Sequence, residues 1–385
     1  MSFSPRTAAV VLSLTLTGAV VAPLPPANAA PVLQQAIRSE PPALPPLSPA
    51  ALASAIAGLP DGEASGALVQ VRGAAGGWSG SSGISSVRAQ HPPAPDSRFR
   101  IGSMTKVFTA IVTLQLAAEH RLDLDAPIQQ YLPGLLPASY AAITARQLLT
   151  WTSGLNGVEV PAKTPDWYFA HRFDHWTPGS QLDLTKPLAF PPGSQQRYGN
   201  VDYIAAGLLI ERITGHSWAD EVTRRIIRPL RLTATNVPGD DIRIPGPHAH
   251  GYEATPDGWR DVTLANPSLQ WSAASIISTA DDLDRLMVAL FRGRLVPQPQ
   301  LEAMFTVPDV PMYGSPGRAA YSAGLTRFQL GDVTVWAKSG DRPGYNNGMG
   351  ATRDLSRRLV YSVNTLHMGG ADQPQVAQRI VLATF

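Results

Sequence analysis

The sequence predicts a mixed α/β protein of the α+β type: an antiparallel sheet flanked by helices, joined to a mainly helical subdomain. Three observations carry this. Strand-like alternation of apolar and polar residues occurs early in the chain and returns after about residue 322. The stretch between, about 122–310, is broken by Pro and Gly into short helical runs. Tight turns join the neighbouring strands, and such turns connect antiparallel pairs. A sheet built from both ends of the chain with a helical insert to one side follows, and a ligand is expected in the groove between them.

Taken in order, residues 1–29 read as a secretory signal. Arg6 is the only charge before Arg38, an apolar run spans 8–21, and Ala27-Asn28-Ala29 is a small-x-small cleavage site. The run is shorter than the ~20 residues that span a bilayer and breaks at Pro23, so a secreted, extracellular chain is expected, free or wall-associated, with no membrane span after cleavage. Residues 30–47, with Pro41, Pro42, Pro45 and Pro46, read as a linker before a domain over 48–385. Ser48-Pro49 opens a short helix ending near Gly58. Residues 67–72 and 78–87 alternate as two strands around the glycine turn 73–77.

A helical pattern then runs from Ser103 to about Glu119, with Val107, Phe108, Ile111, Leu114 and Leu116 on its buried side. Thr144 caps a helix through Leu149, residues 204–213 form another closed by Gly215, and 281–292 a third. Strands are expected over 323–328, 333–338, 348–352 and 358–364, and a closing helix over 374–382.

The composition narrows the function. A chain of 385 residues with 44% hydrophobic and 16% charged residues has room for a well-buried core. A net charge of +2 without a Lys/Arg-rich run argues against nucleic acid as a partner. The lack of cysteine removes disulfides, thiolate metal sites and thiol catalysis. His171 and His175 lack a third ligand, as do His248 and His250, and read as surface residues. Neither a Gly-x-Ser-x-Gly elbow nor a His-Glu-x-x-His zinc motif occurs. No metal or cofactor is implied.

The chemistry concentrates where the Ser103 helix begins. Positions three apart share a helix face, so Ser103 and Lys106 point the same way, with Ser103 at the positive end of the helix dipole. A serine nucleophile beside an amine that can take its proton suits that place. Lysine usage sharpens the point. The chain holds four lysines, Lys106, Lys163, Lys186 and Lys338, against 27 arginines. Lysine matters where the amine must lose a proton or act as a compact charge.

Ser103-x-x-Lys106, Tyr198-Gly199-Asn200 and Lys338-Ser339-Gly340 occur in that order. With the flanking stretches 99–106, 122–125, 131–134, 148–155 and 207–211, this set resembles the serine penicillin-binding proteins and β-lactamases from about Leu68 to the C-terminus. The resemblance implies the β-lactamase/transpeptidase-like fold and is nearest to secreted D-alanyl-D-alanine carboxypeptidases. It implies Ser103 as nucleophile, with Lys106 or Tyr198 as base. Asn200, Lys338 and Ser339 would hold substrate, and the backbone N–H groups of Ser103 and Asp341 would form an oxyanion hole beside Gly340. Trp271 is expected on the groove wall, as a similar Trp lines the pocket in relatives. The second Tyr-x-Asn, Tyr345-Asn346-Asn347, is expected in a loop on the rim.

Asp341 departs from the family pattern, which favours a small neutral residue there. Its carboxylate would repel an anionic substrate end unless Arg342 or Arg327 neutralises it. The function expected is a D-alanyl-D-alanine carboxypeptidase or transpeptidase, monomeric, acting on a small peptide or a β-lactam through a Ser103 acyl-enzyme. Alternatives are a class C-like β-lactamase, a serine esterase or D-aminopeptidase, and a non-hydrolytic β-lactam sensor.

Overall fold

The computed structural model describes residues 44–369 and 373–385. The expected signal segment 1–29 and the linker up to residue 43 lie outside the described residues. The described chain begins with α1 (Pro49–Ala55), β1 (Ala64–Arg72), β2 (Trp78–Gly83), β3 (Phe99–Arg100) and α2 (Thr105–Ala118). The insert carries α3 (Ala145–Leu149), α4 (Pro165–His171), α5 (Val201–Thr214), α6 (Trp218–Val222), β4 (Tyr252–Thr255), β5 (Gly258–Asp261), α7 (Trp271–Ala274), β6 (Ile277–Ser278) and α8 (Ala280–Phe291). The chain closes with β7 (Thr326–Leu330), β8 (Val333–Arg342), β9 (Tyr345–Thr352), β10 (Arg358–Thr365) and α9 (Gln375–Thr384).

Six strands form one antiparallel sheet in the order β2-β1-β10-β9-β8-β7. The first and last segments of the chain thus meet at its centre. Alternation sends β1 and β10 residues to opposite faces. Val69, Val71, Leu359, Tyr361 and Val363 pack with Leu52, Val376 and Ile380 of α1 and α9. Leu68, Met349, Ala351 and Val360 join the larger core around α2. The last residues of the expected linker belong to this body: Arg357 Nη2 donates to the Pro45 carbonyl at 2.7 Å, and Leu47 packs on the α1/α9 core.

Ser48 caps α1, Thr144 and Gln147 form a capping box on α3, and Gly215 closes α5 in the left-handed region, as their sequence signals require. The helix α2 differs from the one-faced expectation, being buried on nearly every side. Its hydroxyls are absorbed internally: Thr109 donates to the Ser272 carbonyl at 2.7 Å and accepts from Trp218 Nε1 at 3.1 Å.

The C-terminal hairpin also differs. The strand β8 continues through the Lys-Ser-Gly box to Arg342, turns at Pro343-Gly344, and β9 begins at once with Tyr345. Tyr345, Asn346 and Asn347 are therefore buried strand residues and not a rim loop. Their polarity is offset in part: Asn347 Nδ2 donates to the Arg100 carbonyl at 2.8 Å and Tyr345 Oη to the Ala249 carbonyl at 2.9 Å, while the side-chain oxygens of Asn346 and Asn347 have no partner among the described residues. The hairpin β4–β5 and the short β3–β6 pair were not read from the sequence.

Candidate active site

Ser103 lies in the 3-10 turn Gly102–Met104 that leads into α2. β7 pairs with β8 only as far as Ala337, leaving the edge from Lys338 onward to meet this turn. Two glycines let the backbones touch. A Cβ on Gly102, where φ is +54°, would lie 2.5 Å from the Asp341 nitrogen. One on Gly340 would lie 1.8 Å from the Ile101 carbonyl oxygen and 3.0 Å from the Ser103 nitrogen. The approach brings the amides of Ser103 and Asp341 to one place, as an oxyanion hole requires.

Lys106 follows one turn later and is completely buried. Its Nζ is 3.0 Å from Ser103 Oγ, 2.7 Å from Asn200 Oδ1 and 3.0 Å from the Ala273 carbonyl oxygen. The two carbonyl-type oxygens can only accept. A neutral amine has two hydrogens for them and a lone pair left for the serine hydroxyl. The electrostatics agree: burial, then the charge of Lys338, push the amine well below the ordinary lysine range, against the pull of Asp202.

Tyr198 fills the space between the two amines. Lys106 Nζ is 5.1 Å and Lys338 Nζ 4.7 Å from its ring centroid. Trp151 and Tyr321 support the ring at 5.0 and 5.2 Å. Trp151 also donates Nε1–H to the Gly199 carbonyl at 2.9 Å, which fixes the turn carrying Tyr198 and Asn200. The phenol oxygen is buried and makes no hydrogen bond among the described residues. Burial raises its pKa, and the nearby Ser103 hydroxyl offsets this only in part. Tyr198 is held as a phenol, which leaves Lys106 as the better-placed base.

Lys338 donates to the Ser339 carbonyl at 3.0 Å, and burial lowers its pKa to about 7. Four sequence-predicted residues stand differently from expectation. The Ser339 hydroxyl does not join the cluster: it makes no hydrogen bond to Ser103, Tyr198 or Lys338, and the residue lines a cavity with Ala337, Tyr361 and α9. Strand alternation turns it away from Lys338. Trp271 packs edge-on against Trp218 at 5.6 Å and over Gly207, instead of forming a groove wall. Positive φ at Gln270 and Trp271 turns the ring that way, and Leu269 and Gln270 line the cleft in its place. Asp341 is neutralised by Lys163, which reaches it from the loop before α4. Arg342 is committed elsewhere, to the Leu269 carbonyl at 3.4 Å and Gln270 Oε1 at 3.1 Å.

Asp202 was missed. It sits in the first turn of α5, buried, and Ser153 donates to its Oδ1. Burial raises its pKa to about 7 despite Ser153, Arg197 and Lys106. An acid leading the apolar run 203–210 was the available signal. Next to the cluster, a cavity of about 380 Å³ runs from Tyr198, Asn200 and Asp202 beneath the loop 155–162. The histidines set aside earlier meet separate acids, His171 with Asp174 and His175 with Asp240.

A family model described as Beta-lactamase matches residues 52–383. A D-stereospecific amidohydrolase from Streptomyces sp. superposes with a TM-score of 0.76 at 34% identity, covering 88% of this chain and 98% of that one. The D-amino acid amidase from Ochrobactrum anthropi SV3 shares the fold with a TM-score of 0.74 at 24% identity, covering 86% and 97%. The probable fimbrial assembly protein FimD, serogroup H1, of Dichelobacter nodosus is 30% identical over 276 residues, 67% of this chain and 64% of that protein. The chain thus spans under two thirds of the length of this curated relative.

Proposed function

The chain belongs to the Beta-lactamase family of serine hydrolases, and on that premise we propose that it is an amidohydrolase forming a Ser103 acyl-enzyme with D-configured amino acid amides or short peptides. The observation that carries the reading is the set of contacts around Lys106 Nζ: two oxygens that only accept, and the Ser103 hydroxyl. Lys106 takes the Ser103 proton as Oγ attacks the amide carbon. The Ser103 and Asp341 amides receive the oxyanion. The proton then passes to the leaving amine, and water releases the acyl group by the same route.

Two features support an uncharged or amine-bearing substrate over one ending in a carboxylate. A carboxylate anchor needs a free cation, yet burial lowers Lys338 to about 7 and its amine is turned to the Ser339 carbonyl. The next charge on this edge is the carboxylate of Asp341, which is paired with Lys163 and offers a carboxylate nothing. The similarity to a D-stereospecific amidohydrolase supports the same choice.

The test is a panel of D- and L-phenylalanine amide, an acyl-D-Ala-D-Ala peptide and a chromogenic cephalosporin, with Ser103→Ala as control. The D-amide is expected to be cleaved at least about tenfold faster than the others. A clear preference for acyl-D-Ala-D-Ala would replace this reading with the carboxypeptidase one. Export remains part of the proposal, and N-terminal sequencing of protein from the culture medium tests it, with cleavage after Ala29 expected.

A further inference from the structure

The cavity beside the catalytic cluster has an uneven charge inventory. Asp202 is 3% exposed, and only its Oδ1 has a hydrogen-bond partner among the described residues, the Ser153 hydroxyl. Its Oδ2 lies beside Gly199, 3.7 Å from where a Cβ on that glycine would stand, and Gly199 lines the cavity between Tyr198 and Asn200. Glu159, exposed on the loop that lines the cavity, makes no ion pair among the described residues. The one guanidinium lining the cavity, that of Arg197, is committed to the Leu155 carbonyl at 2.7 Å and Asn156 Oδ1 at 3.0 Å. The side-chain acceptor left free beside Asn200 is therefore Asp202 Oδ2, with the Arg197 charge near enough to favour its ionised form. A largely buried carboxylate with one oxygen open to the cavity is stabilised by a cation more than by a neutral group.

Geometry says where that cation comes from. Asn200 touches the amine that touches Ser103, and Asp202 follows two residues later at the start of the same helix. In an amino acid amide the α-nitrogen is about 2.5 Å from the carbonyl carbon under attack. A substrate with that carbon on Ser103 and its amine turned past Asn200 enters the cavity amine first.

We propose that Asp202 Oδ2 binds the free α-ammonium of the substrate, so that the protein demands an unblocked amino end. This rests on the D-amide reading and sharpens it to an aminopeptidase-type specificity. It also couples binding to chemistry. An ionised Asp202 pulls the Lys106 pKa upward, and a bound ammonium cancels that pull, so that the correct substrate favours the neutral amine needed for attack.

The test compares kcat/KM for D-phenylalanine amide and N-acetyl-D-phenylalanine amide in the wild type and in Asp202→Asn, which can keep the Ser153 hydrogen bond. The wild type is expected to prefer the free amine by about a hundredfold or more. Asp202→Asn is expected to cut that ratio at least tenfold, chiefly through KM. An unchanged ratio, with both substrates losing equally, makes Asp202 a purely structural residue and overturns the inference while D-amide hydrolysis stands. A wild type that prefers the N-acetyl amide overturns it as well. If Asp202→Asn does not fold, calorimetric titration of Ser103→Ala with the two amides decides. Tighter binding of the free amine is expected, and equal binding contradicts the proposal. If the wild type cleaves neither amide, the D-amide reading fails first and this inference falls with it.

Discussion

Two regions of the molecule bury charge, with opposite results. Around α6, the Glu221 side chain is fully buried, yet it accepts from Arg224 Nη2 at 2.7 and 2.8 Å and from Arg225, which continues to Glu119. Burial pushes the Glu221 pKa up, and the two arginines more than reverse it, so it stays ionised. Around Ser103, Lys106, Lys338 and Asp202 are buried too and Tyr198 partly so, and none of them forms an ion pair among the described residues. Their pKa values all move toward the neutral form. What separates the regions is pairing. Paired burial fixes the fold, and unpaired burial brings Lys338 and Asp202 to about 7 while holding Tyr198 as a phenol.

That contrast breaks most visibly under substitution at the site. Lys106→Arg is expected to lower kcat/KM on the best substrate by roughly a thousandfold or more, since Arg cannot release its proton. Steady-state kinetics checks this, and full activity would show that the amine is not the base. The paired region gives the mirror image. Glu221→Ala is expected to cost about 1–3 kcal/mol in urea unfolding, since Arg224 reaches solvent and Arg225 keeps Glu119, while the folded fraction keeps its kcat.

A pH series sharpens the difference further. Lys338 has a folded pKa of about 7 against a reference value of 10.5. Between these values the unfolded chain holds a proton that the native state has released, so native stability rises with pH across that window. The penalty is complete below about 7 and gone above about 10.5. Lys338→Met is therefore expected to raise stability most in acid, with the gain fading by pH 10. A pH-independent gain would show that the amine is not desolvated.

The smallest effect belongs to the exposed Asp341–Lys163 pair. Asp341→Ala is expected to shift the preference between acyl-D-Ala-D-Ala and D-amide by a few-fold toward the carboxylate-bearing peptide. Lys163→Ala should shift it the other way, by freeing the Asp341 charge. No change in either ratio would remove Asp341 from the account of specificity.

The parts legible in the sequence were those set by short-range rules. Ser103 and Lys106 share a face because they are three apart at a helix start. The central strands announce themselves by period-two alternation, and Gly215 by its place after an apolar run. What escaped depends on partners far along the chain. Asp202 looked like an ordinary first-turn acid, and its burial comes with Ser153, 49 residues away. The Asp341–Lys163 pair spans 178 residues. Asn346 and Asn347 read as loop because they follow the Lys-Ser-Gly box, yet the strand continues through them and Asn347 reaches the Arg100 carbonyl, 247 residues away. Trp271 was assigned by likeness, and local backbone geometry turned its ring to Trp218.

The central claim is that Ser103, deprotonated by Lys106, carries the acyl group. Intact-mass and peptide mass spectrometry of the protein quenched in acid during turnover of a D-phenylalanine ester tests it most directly. A D-phenylalanyl adduct is expected on the peptide holding Ser103, absent in Ser103→Ala. Turnover without any adduct on that peptide, or an adduct on another residue, would contradict it.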